Sequence, residues 1–142
     1  MKLNVMVVDD SAVMRAMIIK SLKLCGIELG DVLEAQNGVE ALQKLATAWV
    51  DLALVDVNMP KMNGEELLNH MRQDPALEPL PVIVISTEGS ETRITRLKSK
   101  GARFLRKPFS PEMLGMQIRE MLGGNDVERS GNQALPGSGP DF

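Results

Sequence analysis

Five short apolar runs punctuate the chain, at Leu3 to Val8, Val32 to Ala35, Leu52 to Val55, Leu80 to Ile85 and Ala102 to Leu105. They are rich in Val, Ile and Leu and do not alternate cleanly with polar residues, the pattern of parallel strands covered on both faces. Between them apolar residues recur at helical spacing: Met14, Met17, Ile18 and Leu22, then Val39, Leu42, Leu45 and Ala46, and later Leu114, Ile118, Met121 and Leu122. Each set predicts a helix that lays one apolar stripe on a sheet. Capping residues mark the helix starts: Ser11, Asn37 before Gly38, Asn63 before Gly64, and Ser110 before Pro111 and Glu112, with proline at a first helical position. Strand followed by helix, five times over, predicts an α/β protein, a doubly wound (βα)5 arrangement with a five-stranded parallel sheet and helices on both faces.

Length and composition narrow this further. A chain of 142 residues is sized for one domain and can bury a substantial core without disulfides or metal staples. After Leu122 the composition turns to SGNQALPGSGPDF and similar stretches with no core-forming pattern, so residues 1–122 are expected to fold and 123–142 to form a flexible tail or linker. The net charge of −3 offers no basic footprint, which argues against direct nucleic-acid binding. The single cysteine, Cys25, can close no internal disulfide. No apolar run approaches the roughly 20 residues of a membrane-spanning helix, so membrane insertion is not expected. The start MKLNVMVVDD does not read as a signal peptide, and a cytoplasmic location is expected.

The candidate chemistry lies at the strand ends. Asp9 and Asp10 close the first strand and Asp56 the third, and ligands of such sheets bind at the carboxyl ends of the strands, near the switch point between strands one and three. Taken singly, each aspartate is equally at home as a cap or turn residue. Together they would repel one another unless a cation, a proton or a lysine joined them. An all-oxygen, open donor set suits Mg²⁺ better than Zn²⁺. Ser86 with Thr87 at the end of the fourth strand, and Lys107 before Pro108 after the fifth, add a hydroxyl and an ammonium at the same edge. A carboxylate nucleophile, a divalent ion, a hydroxyl and a lysine are the parts that phosphoryl transfer needs, and Asp56 is the best placed nucleophile.

The segments VVDDS at 7–11, LALVDVNMPKMNG at 52–64, VIVIST at 82–87 and FLRKPF at 104–109 resemble the receiver domain of bacterial two-component response regulators, with the single-domain chemotaxis type nearest, over about Leu3 to Leu122. The resemblance implies a flavodoxin-like fold with strand order 2-1-3-4-5, an order also common among five-stranded sheets of this kind. It implies that Asp56 becomes an acyl phosphate. Asp10, Asp56 and the backbone carbonyl of Asn58 would ligate Mg²⁺, and Asp9 would hold it through water. Ser86 and Lys107 would bind phosphoryl oxygens, and the Lys107–Pro108 bond would be cis. Phe104 matches the switch aromatic that turns inward as Ser86 moves. Asn58 and Glu88 match two positions that tune dephosphorylation, and their polar pairing implies a short-lived phosphorylated state.

The resemblance implies a signalling switch rather than an enzyme, one that catalyses only its own phosphorylation and dephosphorylation. Its expected partners are a sensor histidine kinase or phosphotransfer protein and a downstream protein bound through the face of the fourth helix, fifth strand and fifth helix. Ile94 on that fourth helix reads equally as output face or core. Trp49, His70 and Cys25 read as structural. Two other readings are a receiver cut from a larger regulator and an aspartyl-phosphate phosphatase; the latter is disfavoured because Asn58 stands where such enzymes carry a second carboxylate.

Overall fold

The computed structural model describes residues 2–123, so the expected tail lies outside the described residues except for Gly123, which closes the last helix. The chain runs β1 (Leu3–Val8), α1 (Ala12–Leu24), β2 (Leu29–Ala35), α2 (Gly38–Leu45), β3 (Leu52–Val55), α3 (Gly64–Gln73), β4 (Val82–Ser86), α4 (Glu91–Ser99), β5 (Arg103–Arg106) and α5 (Pro111–Gly123). The strands form one parallel sheet in the order β2-β1-β3-β4-β5, as expected.

The continuous apolar runs are explained by two separate cores. Met6, Val8, Ala53, Val55, Val82 and Val84 face Leu45, Leu67, Met71 and Leu97 of α2, α3 and α4. The alternate residues Val5, Val7, Leu52, Leu54, Ile83 and Ile85 face Ile18, Leu22, Leu114 and Ile118 of α1 and α5. Successive strand side chains point to opposite faces, so only a strand with apolar residues at every position can serve both layers. Each fully buried Leu or Ile contributes about 2 kcal/mol relative to exposure.

Caps define the helix starts. The side chains of Ser11, Asn37, Asn63 and Ser90 accept the backbone N–H groups of Met14, Glu40, Glu66 and Arg93, and Asn63 with Glu66 completes a reciprocal capping box. Gly115 lets α5 approach α1: a Cβ there would stand 3.0 Å from Cys25 Cβ.

The expected strands shift by a few residues. β2 starts at Leu29 rather than Val32, because Asn4 Oδ1 accepts the Asp31 N–H at 2.8 Å and the register slips between Leu3 and Val5. β4 starts at Val82 rather than Leu80, since Pro81 has no N–H to donate and only its carbonyl pairs, with Ala53 N–H. On α1 the buried line is Met14, Ile18 and Leu22 at four-residue steps; Met17 lies off that line and is 56% exposed, and Val39 and Ala46 are likewise exposed on and after α2.

Candidate functional site

The parallel register brings four strand ends to one edge. Val8 pairs with Val55, Val55 with Val84, and Ser86 with Arg106, so the residues that follow β1, β3 and β5 emerge side by side. Asp9 is buried; its Oδ1 accepts the Ser11 N–H at 2.9 Å and its Oδ2 lies 3.3 Å from Lys107 Nζ. Asp10 is exposed, and Asp56, partly buried, places Oδ1 3.6 Å from the same Nζ. One carboxylate oxygen from each of Asp9, Asp10 and Asp56 falls within 4.8 Å of the others. Lysine and three carboxylates separated by up to 98 residues in sequence thus share one pocket.

The loop after β3 is held tightly. Asp56 N–H donates to Val8 O at 2.9 Å and Gly64 N–H to Val57 O at 2.8 Å. A Cβ on Gly64 would lie 2.2 Å from the Asp56 carbonyl oxygen, so glycine is required for the approach of α3 to this loop. Lys61 adopts the left-handed conformation, with φ 65°. Burial pushes the Asp56 carboxyl above its ordinary value; Lys107 opposes the rise, and the negative charges of Asp9 and Asp10 add to it.

Ser86 is buried at the end of β4, and its Oγ accepts the Glu88 N–H at 3.1 Å. Its carbonyl accepts the Lys107 N–H at 3.0 Å, and the Lys107–Pro108 peptide is cis, as expected. Phe104 is half-buried against the core beside α4. Asn58 is exposed on the loop after Asp56. The Glu88 carboxylate turns along α4, accepting the Ser90 N–H at 3.0 Å and an Arg93 N–H at 3.3 Å. Ile94 belongs to the buried set at 6% exposure, whereas Trp49, read as structural, is 77% exposed with Nε1 donating to Asp51. His70 is exposed and Cys25 caps α1.

Sequence reasoning passed over two arginines. Arg15 donates from Nη1 to the Asp9 carbonyl at 2.7 Å and from Nε to Glu34 at 2.8 Å, bracing the backbone that carries the acidic pair. Its signal was available: it is the basic residue early in α1, where the helix dipole favours acids, so it needed a nearby acceptor. Arg106 stands 5.7 Å over the Phe104 ring and donates to Glu88 O at 2.8 Å, joining β5 to the loop after β4. A hollow of about 580 Å³ lined by Leu42, Leu45, His70 and Leu77 between α2 and α3 holds none of these groups. The carboxylates and the lysine gather on the open strand edge instead.

Comparison with known proteins agrees with this geometry. The family model of the response regulator receiver domain matches residues 5–119. Chemotaxis protein CheY1 of Helicobacter pylori is 42% identical over 126 residues, covering 87% of this chain and all of that protein. The CheY homolog of Campylobacter jejuni is 39% identical over 123 residues, covering 85% of this chain and 93% of its own. Among solved structures, the chemotaxis response regulator CheY4 of Vibrio cholerae superposes with a TM-score of 0.75 at 35% identity, covering 86% of this chain and 100% of that one. A CheY-like receiver domain protein from Methanospirillum hungatei gives 0.77 at 26% identity, covering 90% and 99%.

Proposed function

The chain belongs to the response regulator receiver domain family, and from that premise we propose that Asp56 is its phosphoacceptor, taking a phosphoryl group from a histidine kinase or phosphotransfer protein. The observation that carries the reading is the convergence of Asp56 with Lys107, Asp9 and Asp10 at one strand edge. An Asp56 carboxylate oxygen attacks phosphorus, the P–N bond of the donor's phosphohistidine breaks, and the imidazole keeps the electron pair and takes up a proton. Hydrolysis by water later returns the Asp56 carboxylate and free phosphate. The protein then acts as a switch whose only chemistry is on itself.

The residues present fit Mg²⁺. The cluster offers carboxylate oxygens, with no nitrogen or sulfur donor among them, and exposed Asp10 leaves one side open. Asp10, Asp56 and the Asn58 carbonyl would hold the ion, with Asp9 supporting it through water. When bound, it supplies positive charge against the phosphoryl oxygens. Lys107 Nζ supplies a second positive charge from the opposite strand, already oriented by Asp9. The Ser86 Oγ, which accepts from Glu88, retains its hydrogen to donate to a phosphoryl oxygen. That donation draws the loop from Ser86 to Ser90 toward Asp56 and opens space for Phe104, altering the face of α4, β5 and α5 where a downstream protein binds. Asn58 and Glu88 regulate water access, and the phosphorylated state is short-lived.

The names of its relatives make chemotaxis the leading pathway. Among the described residues no helix is long and apolar enough to cross a membrane, which fits a cytoplasmic role beside a kinase. Incubation with Mg²⁺ and acetyl phosphate should add one phosphoryl mass to the peptide carrying Asp56, and D56N should abolish it. Modification that survives D56N unchanged overturns the assignment, as persistence for hours without a phosphatase overturns the short lifetime.

A further inference from the structure

A chain of ion pairs around α4 is not used by the chemistry above. Glu65, at the second position of α3, is only 14% exposed on its side chain and faces three cations. Arg96 bonds to both of its oxygens, Lys100 Nζ lies 2.8 Å from Oε2, and Arg93 Nε lies 3.7 Å from Oε1. Arg93 has a second carboxylate, that of Glu88, 3.3 Å from Nη1. It therefore stands between a carboxylate of α3 and one on the loop joining β4 to α4.

The sharing is unequal. Nη1 donates to Glu88, whereas Nε is buried without a hydrogen-bond partner, and Glu65 at 3.7 Å is beyond bonding distance. Buried donors are rarely left unpaired, and an unpaired one with an acceptor nearby marks a second available position. Closing on Glu65 by about 1 Å satisfies Nε. Both carboxylates are joined to the acceptor. Glu65 follows Gly64, where any Cβ would collide with the Asp56 carbonyl, and Glu88 donates its N–H to Ser86 Oγ.

We propose that Arg93 is a two-position residue: it holds Glu88 in the resting protein and passes to Glu65 when Asp56 is phosphorylated, fastening α4 to α3 in the switched state. This rests on the reading of Asp56 as acceptor. Displacement of the Ser86 to Ser90 loop toward the phosphoryl group loosens Glu88 from Arg93, and Glu65 is the carboxylate already in place to receive the guanidinium. The α4 position is thereby coupled to Asp56 by a route separate from that through Ser86 and Phe104.

The test is arginine side-chain NMR on the full chain, with the Arg93 Nε–H resonance assigned by its loss in R93K. Beryllium fluoride with Mg²⁺, an acyl-phosphate mimic on carboxylates, serves as the probe. Loading should slow exchange of the Arg93 Nε–H at least tenfold relative to the free protein, where it has no hydrogen-bond partner, and E65Q should remove the slowing while still binding the probe. An exchange rate unchanged by loading, or slowing that persists in E65Q, overturns the relay. Failure of the wild-type protein to bind the probe at Asp56 overturns instead the acceptor reading on which the relay depends.

Discussion

Asp56 carries both the proposed chemistry and an energetic penalty. Its carboxyl is pushed up by burial, with Asp9 and Asp10 adding to the rise and Lys107 opposing it. A carboxyl raised on folding contributes stability that is present below its unfolded value, near 3.8, and lost as pH rises through its folded value. At pH 7 the raised carboxyl of Asp56 therefore costs the metal-free fold stability. D56N should raise the melting temperature in chelator at pH 7, and the gain should shrink toward pH 4; thermal denaturation of both proteins at the two pH values measures it. An equal gain at both would mean that charge is not the cause. The acidic residues were legible because Asp9, Asp10 and Asp56 end apolar runs. Arg106 was not, because it acts through the Glu88 carbonyl, whose position depends on a neighbouring strand; Arg15 carried a signal in its place early in α1, but its partner did not show.

At the level of elements, α3 is the pivot, with one end against the acceptor loop and its first turn against α4. G64A should destabilise by about 3 kcal/mol, because the new Cβ meets the Asp56 carbonyl, which cannot move without disturbing the sheet. Urea denaturation midpoints measure this, and a loss under about 0.5 kcal/mol would contradict the packing described. Glu65 is held well below the usual carboxylate range, at about 2, chiefly by its hydrogen bond from Arg96 and also by Lys100. A lowered carboxyl contributes stability above its unfolded value, near 4.5, and loses it as pH falls toward 2. E65Q should therefore destabilise at pH 7 by about 1 kcal/mol, a modest value because solvent surrounds Arg96, and the difference should vanish by about pH 2, as tracked by unfolding across that window. The caps Ser11, Asn37 and Asn63 of α1, α2 and α3 were readable from sequence, since each joins residues three apart, whereas Ser90 at the start of α4 was passed over. The Glu65 hub spans 31 residues to Arg96 and 35 to Lys100 and follows no local period.

For the molecule as a whole, two apolar layers hold a sheet whose carboxyl edge gathers like charges, so the acidic edge works against the fold that builds it. A cation bound there should stabilise the native state: Mg²⁺ at ten times its dissociation constant should add about 1.4 kcal/mol. D10N should remove most of that gain, read as the shift in melting temperature with and without the ion. What the amino-acid sequence determined by itself was the alternation of strands and helices, the two-faced burial of the central strands β1, β3 and β4, the helix caps and the presence of carboxylates, hydroxyl and lysine at strand ends. These follow from periods of two and 3.6 residues and from local hydrogen bonds, which act over a few positions. Only the tertiary structure decided that α1 turns Met17 outward, that Arg15 braces Asp9, that Glu88 lies along α4, and that Arg93 stands between two carboxylates. Those outcomes depend on the register and crossing of distant segments, where a shift of one residue or about 1 Å changes which charge finds which partner.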